Sequence, residues 1–88
     1  MKGKIMQITF HSWLKSAVGT DSEDIKIPDS VRTISDLASF LGKRHESATA
    51  VFELPEALRY VVDRRYVTPD HEINDTDSIQ IYPPVTGG

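Results

Sequence analysis

Cysteine is missing from this chain of 88 residues, and its absence removes several kinds of chemistry. Without thiols the chain has no disulfide bond and no Cys-ligated zinc or iron–sulfur site. No side chain can carry a persulfide either, because that group forms on a cysteine thiol. If the protein handles sulfur, its backbone terminus must carry the atom.

Long apolar segments are also missing. No run approaches the ~18 residues that a membrane span needs. Residues 5–10, which follow the basic start Met1–Lys4, are too few for the apolar core of a signal peptide, and no small-residue cleavage site follows them. We therefore expect a cytoplasmic protein with no membrane partner.

Positive charge is not in excess, since the formal net charge is −3. Nucleic-acid-binding domains usually carry a clustered basic face, so no nucleic-acid partner is expected. The chain from Pro69 onward has no lysine or arginine but contains four acidic residues, Asp70, Glu72, Asp75 and Asp77. This acidic segment is either a solvated loop or a surface that meets a basic partner, since complementary charge steers association.

Catalytic and metal-binding motifs are not evident. His11, His45 and His71 are far apart and lack the spacing of metal ligands, so we interpret them as surface or structural residues. The sequence contains no phosphate-binding glycine loop and no nucleophile–base pair. We predict no metal site, no permanently bound cofactor and no catalysis by the chain alone.

Alternation of polar and apolar residues predicts the strands. They are residues 4–10, 24–27, 58–62 and 78–82, with a tight turn at Asp63 and Arg64 leading the third into Tyr66 and Val67. Pro28 places the second strand near an edge of the sheet. In the last strand Ile79 and Ile81 point to one face and are the expected core residues, while Gln80 and Tyr82 point to the other.

Helical spacing predicts two helices. The short one pairs Trp13 with Ala17 and Leu14 with Val18, between an N-cap at Ser12 and a stop at Gly19, and Trp13 is expected in the core. The longer helix begins at a Thr33–Asp36 capping box and carries one apolar stripe, formed by Ile34, Leu37, Ala38 and Leu41. Residues 44–56 fit either a helical turn or a loop, ended by Pro55.

The predicted elements suggest an α+β fold, with one sheet and a main helix packed on one of its faces. We assign residues 1–82 to this domain and residues 83–88 to a projecting C-terminal tail. Pro83 and Pro84 favour an extended path, so less entropy is lost when the tail enters a partner. Gly87 and Gly88 keep the end thin because glycine has no Cβ. Fully extended, the tail reaches roughly 20 Å.

The ending Tyr82-Pro83-Pro84-Val85-Thr86-Gly87-Gly88 resembles that of ubiquitin-like sulfur carriers, and in particular the small (MoaD-type) subunit of molybdopterin synthase. Residues 17–21 (AVGTD) look like a second segment of that family. The chain departs from the family at Asp63, where relatives often have Asn, at Ile81, where they often have an aromatic residue, and at Tyr82, which is more often Phe. The resemblance implies a ubiquitin-like β-grasp, a mixed sheet whose first and last strands run parallel at its centre.

The same resemblance implies a sulfur-carrying cycle at Gly88. A ubiquitin-activating-like adenylyltransferase consumes ATP to adenylate the Gly88 carboxylate, and a persulfide donor converts it to a thiocarboxylate. The tail, which includes Val85 and in which Thr86 can hydrogen-bond along a channel wall, then enters the large catalytic subunit of the synthase. There the sulfur attacks cyclic pyranopterin monophosphate to build the dithiolene. A heterotetramer of two large and two small subunits is implied, with Tyr82 and Gln80 at the interface.

Three alternatives remain open at this point. A thiamine-pathway sulfur carrier shares the fold, terminus and chemistry but normally lacks Pro-Pro-Val before its glycines. A non-covalent β-grasp interaction module would bind through its sheet and leave the terminus idle. A protein-conjugating modifier would instead form isopeptide bonds to lysines. Tyr82 itself is either an interface anchor or a surface tyrosine that covers a sheet edge.

Overall fold

A computed structural model describes residues 4–54, 57–73 and 78–84 of the protein. The strands are β1 (Lys4–Phe10), β2 (Ser22–Ile27), β3 (Arg59–Val62), β4 (Arg65–Val67) and β5 (Ser78–Tyr82). The helices are α1 (Trp13–Val18), α2 (Ile34–Arg44) and α3 (Thr49–Phe52), with a 3-10 turn at Glu46–Ala48 before α3. No helix in these ranges has the length and hydropathy that a membrane crossing requires.

The strands form one mixed five-stranded sheet in the order β2-β1-β5-β3-β4. β5 lies at its centre, parallel to β1 and antiparallel to β3. β2 lies at one edge, as Pro28 predicts. The α+β prediction and the parallel pairing of the first and last strands are both confirmed.

The core lies between α2 and one face of the sheet. The predicted inward residues of β5, Ile79 and Ile81, are both fully buried, at 0% exposure. β1 contributes alternate residues from Met6 to Phe10, which are also buried. The predicted stripe of α2 is buried along its whole length, namely Ile34, Leu37, Ala38 and Leu41. The main helix therefore packs on the sheet as the periodicity indicates.

The N-terminus of α2 is closed by the predicted capping box. The Asp36 N–H donates to the Thr33 hydroxyl over 3.1 Å, and the Asp36 carboxylate accepts from the Thr33 N–H over 3.2 Å. The loop before β5 adds further ties, since the Ile34 N–H donates to the His71 carbonyl and the Ser35 N–H to the Pro69 carbonyl. Two orphan donors of the first helical turn are thus satisfied by this loop.

The segment that the sequence left open is a turn followed by a short helix. Phe52 of α3 is buried at 1% exposure and packs against α2. A Cβ added at Gly42 would lie 3.2 Å from the Cβ of Phe52, so Gly42 allows this close approach. The Thr49 hydroxyl donates to the Gly42 carbonyl over 2.7 Å and joins the two helices.

Two predictions for α1 are wrong. Trp13 is 47% exposed, whereas its neighbour Leu14 is fully buried and takes the core position. Ser12 stands at the N-cap position, but its side chain makes no capping hydrogen bond, and its backbone has φ 58° and ψ −143°. This conformation turns the chain sharply out of β1. The stop at Gly19 is confirmed, with a left-handed φ of 99°.

The β3–β4 hairpin turns at Asp63 and Arg64, as predicted. Their φ values are 53° and 68°, so both central residues are left-handed, as in a type I′ turn. This turn type matches the twist of the strands, even though neither residue is a glycine.

Candidate functional site

The C-terminal end of β5 is where the predicted tail begins. It is flanked by the end of β1, where the His11 N–H donates to the Ile81 carbonyl over 3.0 Å, and by Arg59 of β3, which pairs with Tyr82. Pro83 is buried and Pro84 is half-buried. The chain therefore leaves from the centre of the sheet, supported on both sides. The tail residues Val85, Thr86, Gly87 and Gly88 lie outside the described residues.

Tyr82 is covered on one side by a histidine. The rings of His11 and Tyr82 lie parallel, with an interplanar angle of 4° and centroids 4.2 Å apart. Nε2 of His11 lies 2.9 Å from Oε1 of Gln80, and the Tyr82 hydroxyl donates to the same oxygen over 3.4 Å. We call these three half-buried residues the root cluster. It joins the two residues that the sequence assigned to the interface with a third that it did not.

Local chain geometry explains how the root cluster forms. Phe10 pairs with Ile81 in the parallel ladder, so the next residue of each strand, His11 and Tyr82, comes side by side. Phe10 and Ile81 point into the core, hence their neighbours point outward. β1 ends at Phe10, and the positive φ of Ser12 turns the chain directly after His11.

The outer face of the sheet continues from the root cluster. Gln80 pairs with Thr9 on one side and with Val61 on the other. Val61 in turn pairs with Tyr66, whose side chain is 72% exposed. Since α2 covers the opposite face, this outer face of polar, aliphatic and aromatic residues is the one that α2 leaves uncovered.

His11 was interpreted from the sequence only as a surface or structural residue. No motif marks it, because the contact depends on strand pairing between the two ends of the chain. The one signal that leads to it is the parallel arrangement of the first and last strands, which brings residue 11 to residue 82.

The remaining histidines lie elsewhere. Nε2 of His45 lies 2.7 Å from Oε1 of Glu23, and the Arg44 guanidinium lies 3.5 Å from the same oxygen. The His45 ring also contacts the Phe10 ring edge-on. These contacts join the end of α2 to β2, which is a structural role. His71 is exposed on the loop before β5. Within the described ranges, no three His, Cys, Asp or Glu side chains are grouped as metal ligands.

Two residues of the acidic segment, Asp70 and Glu72, are described, and they lie beside the first turn of α2. The backbone of Glu72 forms an isolated antiparallel β-bridge with Thr33. The pKa of the Asp70 carboxyl is lowered because the Thr68 hydroxyl donates a hydrogen bond to it. Both acidic residues are exposed. Asp75 and Asp77 lie outside the described residues.

Two open cavities flank α2, with volumes of about 130 and 230 Å³. They share Ser39 and Lys43, two exposed residues of α2. Neither cavity is lined by a residue that the sequence assigned to the site.

Comparison with known proteins gives a family and a set of structural relatives. A sequence profile of the ThiS family matches residues 8–88. No protein of curated function matches the chain significantly.

Solved structures agree in fold over nearly the whole chain. A protein described as molybdopterin converting factor, subunit 1, from Pyrococcus furiosus is 28% identical, with a TM-score of 0.74 over 92% of this chain and 98% of its own. Small archaeal modifier protein 1 from Haloferax volcanii is 19% identical, with a TM-score of 0.76 over 96% and 99% of the two chains. Its counterpart from Methanosarcina acetivorans is 17% identical, with a TM-score of 0.73 over the full length of both. The two modifier proteins support the fold alone. On the family match and the β-grasp architecture together, this chain belongs to the ThiS family of small ubiquitin-like sulfur carriers.

Proposed function

We propose that this protein is the sulfur-carrying small subunit of a molybdopterin synthase, with the Gly88 carboxylate as its reacting group. The observation that carries the proposal is the Pro-Pro-Val-Thr-Gly-Gly ending directly after the central strand of a sulfur-carrier fold. The similarity to the Pyrococcus furiosus converting factor subunit supports the molybdopterin pathway over the other uses of this fold.

Activation is needed because a carboxylate is a poor electrophile. An adenylyltransferase of the ubiquitin-activating type joins the Gly88 carboxylate to AMP and releases pyrophosphate from ATP. The terminal sulfur of a persulfide donor then displaces AMP. A thiol cleaves the resulting S–S bond, so that the donor and this thiol end as a disulfide and Gly88 ends as a thiocarboxylate. Because the chain has no cysteine, both thiols belong to its partners.

Transfer takes place inside the large catalytic subunit. The thiocarboxylate sulfur forms a bond to a carbon of cyclic pyranopterin monophosphate while the bond from that carbon to an oxygen substituent breaks, and the oxygen leaves with a proton. Water then cleaves the acyl–sulfur bond, which leaves the sulfur on the pterin and restores the Gly88 carboxylate. A second charged carrier supplies the second sulfur of the dithiolene. The rigid exit at Tyr82, with Pro83 and Pro84 after it, lets the tail enter with little loss of entropy. The chain contributes a delivered sulfur and no catalytic side chain.

The thiamine-pathway carrier is the second candidate, because the matching family profile carries the ThiS name. The two functions share the charged terminus and differ in the enzyme that receives it. The proline pair before Val85 favours the molybdopterin role.

Complementation separates the two candidates. In a strain that lacks its own small synthase subunit, expression of this chain should restore the activity of molybdenum enzymes, and a Gly88-deleted chain should not. In a strain that lacks its thiamine carrier, neither chain should restore growth without thiamine. Rescue of the thiamine strain alone would refute the molybdopterin assignment.

A further inference from the structure

His11 is placed to control how the tail leaves the domain. Its ring stacks on Tyr82 at 4.2 Å, and its backbone N–H is bonded to the Ile81 carbonyl. Tyr82 is the last residue of β5, so a shift of its Cα or a change in its backbone dihedral angles is passed directly to Pro83 and Pro84.

Tyr82 has few other restraints on the outer face. β5 supports it from below, and Arg59 across the ladder has an exposed side chain. Among the described residues, its ring has one aromatic partner, His11, and its hydroxyl one acceptor, Gln80. Removing the imidazole would therefore free the Tyr82 ring on the side from which it is now covered.

The position of His11 is itself held by the backbone. Ser12 adopts φ 58° and ψ −143°, a conformation that residues other than glycine rarely adopt. Such strain persists only where the surroundings over-determine it, and it is concentrated at functional sites. Here the turn at Ser12 directly follows His11, the residue that covers Tyr82.

We propose that His11 is a positioning residue for the tail, acting through its stack on Tyr82 to set the direction in which the chain leaves β5 at Pro83 and Pro84. This inference rests on the proposed function, since it concerns delivery of Gly88 to the enzymes that charge and discharge it. In this role His11 acts through Tyr82 and takes no part in the chemical step. A small change of direction at Tyr82 gives a larger displacement further along the chain, and a misplacement of about 1 Å at a reacting group can cost two orders of magnitude in rate.

The ring is the essential part of His11, and the Gln80 hydrogen bond is secondary. Phenylalanine keeps an aromatic face against Tyr82 but has no nitrogen to meet the Gln80 amide. Alanine removes both contacts. His71→Ala is the matched control, because His71 is an exposed histidine that contributes to the fold through its backbone, which accepts from the Ile34 N–H and donates to the Thr68 carbonyl.

Steady-state adenylation of the full chain by its activating enzyme tests the inference. For His11→Ala we expect kcat to fall about tenfold while KM stays within about threefold of wild type. His11→Phe should regain most of the lost kcat, and His71→Ala should match wild type. Thermal unfolding of each variant, together with the loss in His11→Ala of the ring-current shift on the Tyr82 ring protons, should show that the stack is changed and the fold is not.

Several outcomes would overturn the inference. An unchanged kcat in His11→Ala would show that the stack does not position the tail. An equal loss in His11→Phe would show that the ring is not the element responsible. A rise in KM alone would make His11 a docking contact instead. If wild type itself is never adenylated, the proposed function fails, whereas adenylation that is independent of residue 11 removes only the positioning role.

Discussion

The Thr33 hydroxyl and the Asp36 carboxylate each accept a hydrogen bond from the other residue's backbone N–H, and together they close the N-terminus of α2. The Asp36 carboxylate also accepts from the Arg32 N–H over 3.0 Å. This bond from Arg32, joined by the one from Thr33, holds the pKa of the Asp36 carboxyl below its usual value. The helix start is therefore sensitive to acid.

Asp36 should stabilise the protein only where it is ionised. A carboxyl with a lowered folded-state pKa contributes stability above its unfolded pKa of about 3.9 and loses it as the pH falls through the folded value. Asp36→Asn should remove this part of the acid dependence, and Thr33→Ala should cost about 1 kcal/mol at neutral pH. Urea unfolding at pH 7 and at several acid values measures both, and an unchanged pH profile in Asp36→Asn would contradict the prediction.

Tyr60 places a hydroxyl in the core at 1% exposure, and that oxygen has no hydrogen-bond partner among the described residues. Burial raises the pKa of the Tyr60 phenol, so its ionisation opposes folding as the pH rises past the unfolded value of about 10. Because an unsatisfied buried hydroxyl is costly, Tyr60→Phe should be neutral or stabilising by up to about 1 kcal/mol. It should also delay unfolding at alkaline pH.

Tyr66→Phe is the control for this substitution, since the Tyr66 side chain is largely exposed. It should leave the urea midpoint unchanged. A loss of more than about 1 kcal/mol in Tyr60→Phe would mean that the hydroxyl is bonded in solution.

Truncating two neighbouring residues of α1, Trp13 and Leu14, should destabilise the protein to very different extents. Leu14 is fully buried, and Leu14→Ala should cost about 2–5 kcal/mol. Trp13 is nearly half exposed, so Trp13→Ala should cost less than about 1 kcal/mol despite the larger side chain. Denaturant unfolding of both variants measures this difference. A larger loss of unfolding free energy in Trp13→Ala than in Leu14→Ala would show that Trp13 is a core residue.

Much of the fold could be predicted because its signals are local. Alternation identified Ile79 and Ile81 as inward residues, and the Thr33–Asp36 spacing identified the helix start. Trp13 could not be placed in this way, because i,i+4 spacing on a helix of two turns does not say which side meets the sheet. The secondary structure of the segment around Phe52 could not be predicted for a similar reason. Packing against Gly42, rather than helical propensity, determines that this segment is helical.

The candidate site, too, could be predicted only where its signals are local. The alternation of side chains along β5 predicts Gln80 and Tyr82 on the outer face, and the structure agrees. The contact of His11 with Tyr82 could not be predicted from a local pattern, because it depends on pairing between the first and last strands. The structure of the glycine end stays a prediction, since residues 85–88 lie outside the described ranges.

Intact-mass spectrometry of the charged protein tests the sulfur-carrier function most directly. The full chain is incubated with its activating enzyme, ATP and a persulfide donor, alongside a chain that lacks Gly88. We expect wild type to gain the mass of one oxygen-to-sulfur replacement, located on the C-terminal peptide, and the shortened chain to gain none. A wild-type mass that does not change, under conditions in which the same enzymes charge an authentic carrier, would contradict the central claim.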